Sequence, residues 1–364
     1  MAAFSVQSGT LTDFAGVLGQ GGHSIDLASA FTGKARTYVD TYMPVPYDSG
    51  DLYADVYLNN RQVVTALQSS TTAVGQLLQQ SGQALTASAT RYAKLDAAAA
   101  AQLDASYPGG QASVPAPSSG LDATGGALEN PEPALNGEPS KDAPVPDMVQ
   151  WIMDKAGWAS ITGLAVKLAS LFGLDPWAAL TKCVVGDYGE LAQAGHAAKA
   201  LGDFEKIAAQ TLVTGAGAMV WTGEAAEHAR QWFVEAANAL EEHADKLDDL
   251  SQKYALLVQH CAELAAALGG LLETAIDEIL ICAAELAAAG CLASVPGINV
   301  IIGLIGAYQV WKTTEAVAAF LKVTGNVYMG VTGLLAAVTG LASWAEDGDV
   351  TTKLPTAPYV NASL

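Results

Sequence analysis

Apolar residues recur at helical spacing along most of this chain, and the breaks in that spacing divide it. Leu11, Phe14 and Leu18 open one stripe, Gly19 to Gly22 interrupt it, and the pattern resumes at Ile25. It stops at Pro44-Val45-Pro46-Tyr47-Asp48-Ser49-Gly50, because two prolines and a glycine cannot continue a helix. After that turn Val64, Thr71, Leu78, Leu85, Tyr92 and Ala99 form a heptad row, with Leu67, Val74, Ser81 and Leu95 beside it. Such a stripe predicts the second arm of an antiparallel helical hairpin.

A second pair of helical patterns flanks Trp221-Thr222-Gly223, where a turn between helices needs a glycine able to take a left-handed conformation. The first arm is predicted from about Asp187 toward Val220. On the second, Phe233, Leu240, Leu247, Tyr254, Cys261 and Leu268 make one row and Leu250, Leu257, Leu264 and Leu271 another. Upstream, Trp151 and Trp158 mark an amphipathic segment, and Asp175-Pro176 predicts the start of a short helix. Downstream, Leu286 to Trp311 and Val323 to Trp344 carry no charge over 26 and 22 residues, lengths that suffice to cross a bilayer. Pro296-Gly297 breaks the first of them. All-round apolar helices occur both in bundle cores and in membranes, so both readings stay open.

Between these patterns, 107–146 holds eight of the fourteen prolines and little apolar surface, so it reads as a disordered, flexible Pro/Gly-rich linker. The expected architecture is all-α: long antiparallel helical hairpins or a helix bundle, in two modules. Residues 1–106 form the first, 107–146 the linker, 147–345 a helical bundle with apolar C-terminal helices, and 346–364 a tail.

Composition adds exclusions. The 364 residues are 51 % hydrophobic with a formal charge of −20, which supplies a core but argues against nucleic acid, whose phosphates need clustered Lys and Arg. From Glu224 to Glu278 twelve acids face three bases, a solvated outer face or, less specifically, a docking surface. Met1 to Ser8 lacks the basic and apolar regions of a secretory signal peptide.

On these motifs, residues 1–106 resemble the EspC-like family of type VII (ESX) secretion substrates. The likeness rests on Val6, Gln7 and Leu11 in a Val-Gln-x-x-x-Leu start, a long hairpin, and an Ala-rich final helix with Tyr92-x-x-x-Asp96. Residues from about Asp175 to Phe320 resemble the Trp-x-Gly (WXG) superfamily. There Gly186-Asp187-Tyr188 opens the first arm, Trp221-Thr222-Gly223 makes the turn and Ala225-Ala226 starts the second arm. The resemblance implies export of a folded helical pair through an ATPase-driven channel. Tyr92 and Asp96, one turn apart on a helix face, would be the secretion motif, and Trp221 and Gly223 the hairpin turn. The first hairpin has a proline turn instead of Trp-x-Gly, and Val258 replaces the acid four residues after Tyr254. Each half thus carries one part of a bipartite pattern, acting in cis or with a separate partner.

The implied protein is secreted or displayed at the cell surface and acts by helical protein–protein interaction. Its expected partners are the type VII secretion ATPase and machinery, a WXG-type or chaperone protein, or further copies of itself. The alternative is a membrane-inserting pore or toxin-translocation protein using helices 279–344. His23, His196, His228, His243 and His260 show no metal-ligand spacing, and no phosphate loop or nucleophile elbow occurs, so no catalytic, metal or cofactor-binding residue is expected. His243 lies on the seam row, where a polar group fixes register more often than it binds metal. Cys183 and Cys261 are equally distant from Thr222, so regular arms would set them level, as a disulfide or as two buried thiols.

Overall fold

The computed structural model describes residues 4–19, 25–44, 54–95, 97–105, 114–122, 127–142, 188–288, 333, 336–337, 339–341, 343–344 and 353–361. Helix accounts for 77 % of them, which makes the protein mostly α. In chain order the elements are β1 (Ser5–Val6), α1 (Ser8–Gly19), α2 (Leu27–Ser29), a π-helical stretch (Ala30–Ala35), α3 (Arg36–Tyr42), α4 (Ala54–Tyr92) and α5 (Ala97–Ala105). A 3-10 turn (Glu132–Leu135), α6 (Tyr188–Ala218), β2 (Trp221–Thr222) and α7 (Glu224–Ala288) follow.

Asp26 caps α2 by accepting the amide of Ser29 at 2.9 Å, and the helical run it opens lies antiparallel to α4. Asn60 donates to the Met43 carbonyl at 2.8 Å, Gln68 to Asp40 at 2.5 Å, and Arg36 to Thr72 at 3.2 Å, so partner numbers rise as the other strand of contacts falls. The heptad rows of α4 form its covered face: Leu67, Thr71, Val74, Leu78, Ser81, Leu85 and Tyr92 are buried, and Val64 is half-buried.

Helices α6 and α7 also run antiparallel. Tyr188 lies level with Cys261, Gly195 with Tyr254, Gly202 with Leu247, and Glu205 with His243. Their seam is the sequence row Phe233, Leu240, Leu247, Tyr254 and Cys261, each at most 1 % exposed. The register differs from that of a tight reversal at Thr222. Met219 to Gly223 is not helical, and extended backbone climbs about 3.3 Å per residue against about 1.5 Å in a helix, so α7 begins beyond the end of α6. Cys261 lies level with Tyr188, and Cys183 lies outside the described residues.

The two halves of the sequence share one hydrophobic core. Phe14 of α1 meets Phe233 edge-on at 4.9 Å, and Phe31 meets Phe204 at 4.8 Å. A Cβ on Gly215 would fall 2.1 Å from the Phe14 ring, so glycine is what lets the ring lie against α6. Tyr254 of α7 donates to Asn60 of α4 inside the core, where burial pushes its phenol pKa up.

Part of the Pro/Gly-rich stretch is packed, which differs from the expectation of a flexible linker. Ser118 bonds Asn238 through its amide at 2.8 Å, Gln210 donates to the Asp122 carbonyl at 2.7 Å, and Thr211 donates to that of Glu129 at 2.8 Å. Leu135 is buried at 4 % exposure. Side-chain hydrogen bonds from α6 and α7 offset the ordering entropy that the segment's own apolar surface cannot.

Candidate functional site

Tyr92 is the last residue of α4. The expectation of an unbroken helix through the motif fails at this point: Lys94 and Leu95 donate to carbonyls only three residues back, at 3.0 and 3.3 Å, as in a tightened final turn. Asp96 lies outside the described residues. The break re-aims the chain into α5.

Trp221 sits in β2, whose antiparallel partner is β1 in the register Val6 with Trp221 and Ser5 with Thr222. Gln7 donates its amide to the Val220 carbonyl at 2.8 Å, and the Ser5 amide donates to Thr222 Oγ1 at 2.8 Å. Arg230, two turns into α7, donates to the carbonyls of Met219 and Trp221. Gly223 has φ of +124°, and a Cβ there would fall 2.3 Å from Asp104 Oδ2. Both constraints require glycine.

Asp104 of α5 is the cap of α7. Its carboxylate oxygens accept the amides of Glu224 and Ala225, each at 3.1 Å, at the helix end where the backbone dipole favours negative charge. A residue of the first half thus caps the main helix of the second.

These supports bring together the two aromatic residues singled out from the sequence. The rings of Tyr92 and Trp221 meet edge-on, with centroids 5.6 Å apart and planes at 62°. Phe4 covers Tyr92 from another side at 5.7 Å. Tyr92 is 3 % and Trp221 1 % exposed. The Tyr92 hydroxyl accepts from Asn361 Nδ2 at 3.3 Å, and the buried Trp221 Nε1 has no hydrogen-bond partner among the described residues. Such an edge-to-face pair contributes about 0.5–1.5 kcal/mol beyond area burial, whereas an unpaired buried donor costs about 1–3 kcal/mol.

No family model matches this chain, and no match is found among curated proteins or among solved structures.

Sequence reasoning missed Asp104, Arg230, Phe4 and Asn361. Asp104 had a signal: it is the sole charge between Asp96 and Asp122, in an Ala-rich run where an acid has no local partner. The other three carry none, since their partners are set by tertiary contacts.

A second feature is an open groove of about 850 Å³ between α7, residues 115–120 and residues 353–356, lined by Glu235, Asn238, Glu241, Glu242, Asp245 and Lys353 among others. Burial raises the Glu241 carboxyl pKa, Lys206 opposes this and Asp245 adds to it. Among the described residues no group of three or more His, Cys, Asp or Glu could hold a metal ion. None of the described helices is long and apolar enough to cross a membrane, and most of 279–344 lies outside the described residues.

Proposed function

We propose that this chain is a substrate of type VII secretion whose recognition label is composed in cis. Tyr92 and Asp96 come from the EspC-like half, and the Trp221-Thr222-Gly223 turn from the Trp-x-Gly half. The observation that carries this reading is the contact between Tyr92 and Trp221. Each belongs to a separate motif, and a bipartite label requires them to be neighbours.

The fused core removes the need for a second WXG-type chain to complete the label. The secretion ATPase is then the partner, and the protein acts by helical interaction in the medium or at the cell surface.

Export of Tyr92→Phe, Asp96→Asn and Trp221→Phe variants tests the proposal, since each keeps the side chain's bulk. The expected result is at least a tenfold drop in released protein for Asp96→Asn, with normal folded protein retained in the cells. Release of Asp96→Asn and Tyr92→Ala at the level of the unmodified chain would refute it.

A further inference from the structure

We propose that Asn136 is a site of self-modification: the Gly137 amide nitrogen closes on the Asn136 side-chain carbon, ammonia leaves, and water opens the ring to aspartate or isoaspartate. The inference is independent of export. Asn-Gly occurs once in the 364 residues, at 136–137. Ring closure needs an uncrowded amide nitrogen on the following residue, and glycine, with no Cβ, crowds it least. Asn130 fails this requirement because Pro131 has no N–H. Asn59, Asn60 and Asn238 lie inside helices, where the next amide is bound to a carbonyl one turn back. Asn361 is buried.

The fold adds what the dipeptide alone does not have. Asn136 follows the 3-10 turn Glu132–Leu135 and is exposed. Its own amide donates to the Pro133 carbonyl at 3.1 Å, while among the described residues the Gly137 amide has no backbone acceptor. Gly137 has φ of +93°, and a Cβ there would meet nothing within 4 Å. At the Asn136 ψ of 132° the Gly137 nitrogen does not eclipse the side chain as a five-membered ring requires, so closure begins with a turn about that bond. Open space around a glycine permits the turn, and with Leu135 buried upstream it moves Gly137 rather than the Asn136 side chain.

That side chain is held by the first half of the protein. Lys34 of the π-helical stretch donates to Asn136 Oδ1 at 2.8 Å, and Glu132 Oε2 lies 3.8 Å from the same Nζ. Oδ1 is the oxygen that takes negative charge when nitrogen adds to the carboxamide carbon, so an ammonium already bonded to it stabilises the oxyanion. The Lys34 side chain is 33 % exposed, which lets water and hydroxide reach the reacting atoms.

The Gly137 amide proton passes to hydroxide as the N–Cγ bond forms. The Cγ–Nδ2 bond then breaks, and Nδ2 takes a proton from water and leaves as ammonia. Water adds to one of the two ring carbonyls. Opening at Cγ gives aspartate, whose carboxylate meets Lys34 as a charge-assisted pair. Opening at the Asn136 main-chain carbonyl gives isoaspartate, which lengthens the backbone by one methylene between buried Leu135 and Glu138, the acceptor of Gln193 of α6 at 3.1 Å. Lys34 belongs to the first half of the chain and Gln193 to the second, so the mark falls where this segment bridges them.

Purified full-length protein, kept folded in mildly alkaline buffer, is followed over time by peptide mass spectrometry, with isoaspartyl methyltransferase and a labelled methyl donor as the probe for isoaspartate. Expected are exchange of amide for carboxyl at Asn136 ahead of every other asparagine, a mixture of aspartate and isoaspartate there, and a rate that rises with hydroxide. Asn136→Gln, which needs a larger ring, should react at least tenfold more slowly at this position. Gly137→Ala should be slowed as much, and circular dichroism checks that an alanine at positive φ still folds. Lys34→Met keeps the stem, removes the ammonium and should slow the reaction severalfold, whereas Lys34→Arg should retain most of the rate. Intact Asn136 after a time in which an unfolded peptide of the same sequence converts overturns the site. Aspartate without isoaspartate indicates direct hydrolysis and overturns the ring, and peptides joined through Lys34 and Asn136 overturn opening by water. A Lys34→Met rate equal to or above that of the unmodified chain overturns the part given to Lys34.

Discussion

The middle of the α6–α7 seam and its Trp221 end are held by different kinds of partner. In the middle the two helices supply each other. Lys199 and Lys206 bracket Asp248 at 3.1 and 3.0 Å, and Glu205 meets His243 at 2.6 Å with both side chains nearly inaccessible. At the Trp221 end Arg230 of α7 is joined by imported groups, Phe4, Tyr92 and Asp104 from the first half and Asn361 from residues 353–361. The middle of the seam also receives Phe31 and Asn60 from the first half, but its ion pairs lie within its own two helices. An end assembled from four separated segments is sensitive to the state of the whole molecule.

The largest effect that would sharpen this contrast belongs to the buried pair. His243→Leu leaves the Glu205 carboxylate buried without its donor and should cost about 3–5 kcal/mol in urea unfolding. Adding Glu205→Leu should recover most of that loss, because two packed leucines replace two desolvated polar groups. A double variant as unstable as the single one would show that the seam depends on more than its own facing residues.

At the other end, Asp104→Ala should cost about 1–2 kcal/mol, the usual worth of a helix cap. Faster hydrogen exchange at Glu224 and Ala225, with no change around Leu247, is the signature to look for. Equal acceleration at both places would erase the distinction between end and middle.

The smallest effect is electrostatic. Burial acts to raise the Asp248 carboxyl pKa, but hydrogen bonds from Lys206 and Lys199 outweigh it and the net shift is downward. A carboxyl depressed by folding contributes stability above its unfolded pKa, and that contribution is lost as pH falls through the folded value. Both lysines are raised, Lys199 first through its bond to Asp203 and Lys206 through its bond to Asp248, so on the alkaline side the pairs are lost only above the ordinary lysine range, and on the acid side they are lost as their carboxyls protonate. The lysine side chains are 50 % and 34 % exposed, so screening limits Asp248→Asn to about 0.2–1 kcal/mol. The difference from the unmodified chain should shrink in 1 M salt and vanish as the pH falls through the lowered folded pKa of Asp248, as thermal melts can show.

The same contrast explains what could be read from the sequence. Periodicity reports which face of a helix is covered, so the rows through Leu78 and Leu247 were legible, as was a turn at Trp221-Thr222-Gly223. It does not report what covers them. The Ala-rich run after Tyr92 reads as continuous helix, yet the chain turns there because α5 must bring Asp104 to the start of α7. The Pro/Gly-rich stretch lacks the apolar surface for order of its own, and only Asn238, Gln210 and Thr211 across from it show why parts of it pack. The π-helical stretch at Ala30–Ala35, which carries Phe31 to Phe204, left no mark in the pattern.

The two-residue ladder between Ser5–Val6 and Trp221–Thr222 joins positions 217 residues apart in sequence. Closing so long a loop is entropically slow, and a pairing this short cannot hold until the helices on either side have docked. Tyr92 and Trp221 therefore meet late in folding. During synthesis, a chain lacking its second half would display neither the ladder nor the aromatic contact, so a transporter reading that contact would engage finished molecules and ignore nascent ones.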